Sequence, residues 1–129
     1  MVAARAFPPG ARLRSPADFA ALRRDGKRIT TRLFRTQYRL TGAAESRLGM
    51  AVSRRVSKRA VERNRIRRII RESFRLCRGE LPACDLLMIA QTAAASLSGS
   101  ELRAELDLIW GRLAALKAHA ATPTMPSPG

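Results

Sequence analysis

Residues 58–75, KRAVERNRIRRIIRESFR, hold the densest chemistry in this 129-residue chain. Eight of the eighteen are Lys or Arg and two are Glu, so the segment carries +6. At 100° per residue it reads as an amphipathic helix. Ile66, Ile69, Ile70, Phe74 and Cys77 fall on one side, and Asn64, Arg67, Arg68, Arg71 and Arg75 fall opposite. Guanidinium groups grip phosphates with two parallel N–H donors, so one face suits a core and the other an anionic polymer. Lys58, Arg59 and Arg63 lie at the helix start, where the macrodipole is already positive. Each costs about 0.3–1 kcal/mol there at low salt, a cost that a docked phosphate removes. Most charge runs are merely solvated faces. The sorted faces, the bias to Arg over Lys and the charge at the unfavourable end favour phosphate binding.

Other reactive side chains are sparse. His119 reads as a solvated histidine, and Asp18 and Glu101 as helix-start residues. Glu72 stands four residues from Arg68 and three from Arg75, which suits an ion pair better than acid–base work. There is no Gly-rich phosphate loop, metalloprotease helix pair or nucleophile elbow. Cys77, Cys84 and the single histidine cannot complete a four-ligand zinc site, and each thiol reads as free and buried. No catalytic residue, metal ligand or small-molecule substrate is expected of the protein itself.

The net charge is +15 and the isoelectric point about 11.8, so +9 lies outside the basic run. A field spread over one small domain points to nucleic acid, whose binding is dominated by phosphate neutralisation. A membrane surface fits less well, because the apolar helix face is needed for the core. No apolar run is long enough for a transmembrane or signal segment, so a cytoplasmic protein is expected.

The elements that must carry these residues follow in order. Residues 1–14 are expected to be an extended segment, 15–118 one α+β domain, and 119–129 a disordered tail. Ser15-Pro16-Ala17-Asp18 is a helix start, with Phe19 and Leu22 on one side and Gly26 as the stop. In 33–40 the period is two: Phe34, Thr36, Tyr38 and Leu40 share one face, and Arg35, Gln37 and Arg39 the other. Residues 41–46 read as a hairpin-like connection to a second strand over 47–54, with Leu48, Met50 and Val52 inward. The basic helix should stop at Gly79. Residues 85–90 form a continuous apolar run, as in a strand buried on both faces. Ser98 to Glu101 is a capping box, opening a helix with Leu102, Leu106, Ile109, Leu113 and Leu116 in one stripe and Trp110 beside it. Phe19 reads as core packing with Leu22, or as a base-stacking aromatic beside the basic strand face.

The run Lys58 to Arg75, with Arg63-Asn64-Arg65 at its heart, resembles the signature of the bacterial ribonuclease P protein component. The order of segments from about Ala11 to Leu116 is similar to that family as well. The resemblance implies an α+β domain in αβββαβα order, with a four-stranded, mainly antiparallel sheet like that of ribosomal protein S5 domain 2. It also implies a protein subunit of an endoribonuclease that removes the 5′ leader of precursor tRNA, its active site and Mg2+ supplied by a catalytic RNA. On matching positions, Arg59, Arg63, Asn64, Arg65, Arg67, Arg68 and Arg71 become expected contacts to the catalytic RNA. Phe19, Arg35 and Gln37 become expected contacts to the leader of precursor tRNA. One position departs: some members carry a second cleft aromatic where this chain has Arg23. Composition and charge alone also fit a non-catalytic RNA-binding protein such as a ribosomal component.

Overall fold

The structure, a computed structural model, describes residues 15–41 and 46–121, with side chains up to Leu116. The expected extended segment 1–14 lies outside the described residues, as do 42–45, the side chain of His119 and the tail beyond residue 121. The elements are α1 (Pro16–Asp25), β1 (Lys27–Thr30), β2 (Phe34–Leu40), β3 (Arg47–Ala51), α2 (Ala60–Cys77), β4 (Cys84–Ala90) and α3 (Gly99–Ala121). This is the expected αβββαβα order, although α3 continues past residue 118.

Local chemistry explains most boundaries. The Ser15 hydroxyl accepts from the Ala17 N–H at 3.1 Å, and Pro16 occupies the first turn of α1. At the other end the Gly26 N–H returns to the Leu22 carbonyl at 2.9 Å, and a Cβ at Gly26 would collide with that oxygen. Ser98 and Glu101 form the capping box of α3: the Glu101 N–H donates to Ser98 Oγ at 3.2 Å and the Ser98 N–H to Glu101 Oε1 at 3.0 Å. The end of α2 differs from the expectation. Gly79 does not stop the helix in a left-handed conformation; the chain tightens into a 3-10 turn over Arg78–Glu80.

The sheet order is β1-β2-β4-β3, with β1–β2 and β2–β4 antiparallel and β3–β4 parallel. The hairpin expected at 41–46 is therefore absent as a pairing, because β4 lies between β2 and β3. The reason is burial: Cys84–Ala90 is the most apolar strand and takes a central place, whereas β3 takes an edge. The tight turn is instead between β1 and β2, where the Thr31 N–H donates to the Phe34 carbonyl at 2.9 Å.

One sheet face holds Phe34, Thr36, Tyr38, Leu48, Leu86 and Met88, and α2 and α3 close over it. Ile66, Ile69, Ile70 and Phe74 from α2 meet Leu102, Leu106, Ile109, Trp110 and Leu113 from α3 in this core. Each fully buried side chain of this kind contributes about 1.5–3 kcal/mol. Trp110 stacks obliquely on Phe74, with ring centroids 5.9 Å apart, and donates from Nε1 to Ser73 Oγ at 2.6 Å. α1 packs on the opposite face, against β2 and β4, and buries Leu22 there, outside the main core cluster.

Candidate nucleic-acid interface

The basic face of α2 is partly exposed. Arg59 is the N-cap residue and has an exposed side chain, with no side-chain hydrogen bond capping the helix. α1 and α3 are both capped by serine, whereas α2 has no side-chain cap. Asn64 and Arg68 are exposed, and Arg67 and Arg71 are half-buried beside them. Arg67 donates from Nη1 to Asn64 Oδ1 at 3.0 Å, so the two side chains stand together. Ahead of the helix, Arg54, Arg55 and Lys58 are exposed on a loop pinned by buried Val56. The Val56 N–H donates to the Ser53 carbonyl at 3.0 Å, which turns this loop tightly.

The Arg63-Asn64-Arg65 triplet does not present three parallel side chains. Successive helical residues point about 100° apart, and the structure uses the divergence. Arg63 Nη1 donates to the Ser57 carbonyl at 2.9 Å, bracing the loop ahead of the helix. Arg65 turns the other way, to Glu62 Oε1 at 3.2 Å and the Leu97 carbonyl at 3.3 Å, tying α2 to the segment before α3. Asn64 alone of the three projects with the basic face. Glu72 also has an unexpected partner: it pairs with Arg103 of α3 at 4.0 Å rather than with a neighbour on α2.

The second surface is the α1 side of the sheet, which the strand register divides into three rows. The first row is Arg39–Asp85–Arg47, the second Arg28–Gln37–Leu87–Gly49, and the third Thr30–Arg35–Ile89–Ala51. In the first row Asp85 is only 1% exposed; in the third, Thr30, Arg35 and Ala51 are all exposed. α1 therefore covers one end of the face and leaves the other open. Gln37 sits at the boundary and is 9% exposed, which corrects its expected place on an open outer face. Helix α1 overlies this part of the sheet, and the Gln37 Oε1 atom is buried there without a hydrogen-bond partner among the described residues. Phe19 is half-buried while Leu22 beside it is fully buried, so Leu22 is the core residue of α1. Arg23 is exposed.

The two surfaces adjoin at one end of β3. Arg35 pairs through Ile89 to Ala51, so its Cα lies roughly 10 Å from that of Ala51, two strand spacings away. Val52 follows, and Arg67 donates from Nη2 to its carbonyl at 3.3 Å.

The sequence reading missed a cluster of charges beneath α1. Arg47 donates from Nε to Asp85 Oδ1 at 2.8 Å and from Nη2 to Oδ2 at 2.9 Å, while its Nη1 lies 3.1 Å from Asp18 Oδ2. Arg39 Nη2 adds a looser ion pair to Asp85 at 3.7 Å. The hydrogen bond to Asp85, ahead of that to Asp18, makes Arg47 hold its proton more firmly than an ordinary arginine. Asp85 heads an apolar run in the sequence, and only its register with Arg39 and Arg47 reveals the pairing. Arg28, on the row of Gln37, was missed for the same reason.

Among the described residues no three His, Cys, Asp or Glu side chains gather to hold a metal ion. No described helix is long and apolar enough to cross a membrane.

The family model for Ribonuclease P matches residues 7–114. The chain belongs to the ribonuclease P protein family. The ribonuclease P protein component of Xanthomonas oryzae pv. oryzae is 38% identical over 122 residues, covering 95% of this chain and 83% of that protein. That of Cronobacter sakazakii is 39% identical over 107 residues, covering 83% of this chain and 90% of that one. The fold agrees. The Staphylococcus aureus RNase P protein superposes with a TM-score of 0.73 at 27% identity, covering 80% of this chain and 96% of that chain. The RNase P protein of Thermotoga maritima gives 0.70 at 29%, covering 78% and 96%. A ribonuclease P protein is a component of a tRNA-processing endoribonuclease and works with an RNA subunit, which sets aside the ribosomal alternative.

Proposed function

We propose that this chain binds the catalytic RNA of ribonuclease P through the basic face of α2 and holds the 5′ leader of precursor tRNA against the open end of the sheet. The observation that carries this reading is the junction of two basic surfaces around one end of β3, in a chain of this family. Arg59, Asn64, Arg67, Arg68 and Arg71 contact RNA phosphates directly. Arg63 and Arg65, already bonded within the protein, shape the start of α2 and reach RNA only by exchanging those bonds. Arg35 and Phe19 flank the leader, with Arg35 neutralising phosphate and Phe19 offering a stacking face. Gln37 lies under α1 beside Arg35 and reaches the leader only by turning its side chain out of that cover.

The chemical step is hydrolysis of a phosphodiester, and in this reading the RNA subunit performs it in the cytoplasm. Mg2+ held mainly by that RNA supplies charge stabilisation at the reacting phosphate. The protein's part is to bind, orient and neutralise, which lowers the magnesium needed to bring polyanions together.

The test is reconstitution. The protein is mixed with its cognate RNA and a precursor tRNA at magnesium levels where the RNA alone cleaves poorly. Cleavage at the mature 5′ end should appear only with both components. Cleavage by purified protein without RNA would overturn the reading.

A further inference from the structure

Arg47 lies in the covered row of the second surface and Asp18 in the helix above it, and together they join the parts from which that surface is made. Asp85 is buried and accepts two hydrogen bonds from Arg47, which fixes the plane of that guanidinium. The remaining nitrogen, Nη1, points to Asp18 in the first turn of α1. Asp18 immediately precedes Phe19, and α1 is otherwise held to this face chiefly by Leu22. A single apolar anchor lets a helix of ten residues pivot; a second, directional anchor one turn away removes that freedom.

We propose that Arg47 and Asp18 are positioning residues for the leader: the Asp85–Arg47–Asp18 chain sets the angle of α1 over the sheet and so the place of Phe19. The inference rests on the leader reading above and deepens it. The half-exposed Arg47–Asp18 link adds little stability by itself, whereas the buried Asp85 fixes the direction in which Arg47 points. Orientation is what the bidentate contact adds.

The variants are Asp18→Asn, Asp18→Glu, Arg47→Lys and Phe19→Leu, with the double variant Asp18→Asn/Phe19→Leu. Arg47→Lys keeps a cation beside Asp85 but loses the fork that reaches both carboxylates. The readout is the ratio of affinities for long-leader precursor and mature tRNA, measured on the reconstituted complex. Asp18→Asn and Arg47→Lys should each lower the ratio by roughly three- to tenfold. Asp18→Glu should restore it in part, and the double variant should fall no further than Phe19→Leu alone. Affinity for the catalytic RNA should be unchanged in all. If Phe19→Leu lowers the ratio while Asp18→Asn and Arg47→Lys do not, the positioning role is overturned and the leader reading survives. An Arg47→Lys ratio equal to wild type beside a lowered Asp18→Asn ratio would reduce Asp18 to a helix-start charge and also overturn it. If Phe19→Leu leaves the ratio unchanged, the leader reading falls, and this proposal with it.

Discussion

Arg67 reaches across from α2 and donates to the carbonyl of Val52 at 3.3 Å, just beyond the end of edge strand β3. Arg78 does the same near the strand's other end, donating from Nε to the Ser46 carbonyl at 3.1 Å. Helix α2 and the turn that follows it are thus tied to both flanks of edge strand β3. In the proposed function Arg67 therefore has two roles, a tie within the fold and a cation offered to RNA.

That duality separates Arg67 from Arg71. Arg71→Ala should change stability by no more than about 0.5 kcal/mol, as at an ordinary surface site. Arg67→Ala should cost about 0.5–1.5 kcal/mol, because it loses the bonds to Val52 and Asn64. Each should weaken binding to the catalytic RNA by about 1–3 kcal/mol. Urea unfolding and RNA titration of the single variants measure the two effects. Equal stabilities for both variants would show that the Val52 tie is energetically idle.

RNA affinity should fall steeply with salt. Neutralising about five to eight phosphates gives a slope of log K against log salt near −4 to −7. Titrations in increasing potassium salt measure it, and a slope near zero would contradict the two basic faces as the main contacts.

Phe19→Leu should assemble with the catalytic RNA as the wild type does but lose preference for long-leader precursor over mature tRNA, by about 1–3 kcal/mol. Because Leu22 rather than Phe19 is the buried anchor of α1, stability should change little. Lost assembly in this variant would contradict the division of labour between the two surfaces.

The cysteines make a prediction about pH. Burial, reinforced by Glu80 and Asp107, pushes the Cys77 thiol up to about 12. Burial pushes Cys84 to about 11, outweighing the opposing hydrogen bond with Ser46. Both start from 9.0 when unfolded. The unfolded chain therefore loses these protons first. The thiols' contribution is fully present below about pH 9 and is lost as pH rises through about 11 to 12. Urea unfolding of the wild type should weaken more steeply between pH 8 and 10.5 than that of Cys77→Ala/Cys84→Ala. Matching slopes would mean that the thiols are accessible in the native state.

Much of this was readable along the chain because it depends on near neighbours. The Ser15 and Ser98 caps, the apolar stripes of α2 and α3 and the basic face of α2 are patterns within a few residues, and local periodicity expresses them directly. The family signature is likewise one continuous run. Gln37 was misplaced because alternation reports which face a residue takes, not what covers that face. The hairpin at 41–46 was misjudged because pairing between β2 and β3 depends on whether a later, more apolar strand inserts between them.

By itself, then, the sequence determined the composition of each surface: a helix with cations on one side and isoleucines on the other, and a chain too basic to stand apart from nucleic acid. Only the tertiary structure decided which cations act together. Register brought Arg39, Asp85 and Arg47 into one row and left Arg35 open two rows away. Helix geometry split Arg63, Asn64 and Arg65 into two internal braces and one exposed side chain. The physical reason is that a side chain's charge is written in the sequence, whereas its partners are set by contacts between residues tens of positions apart.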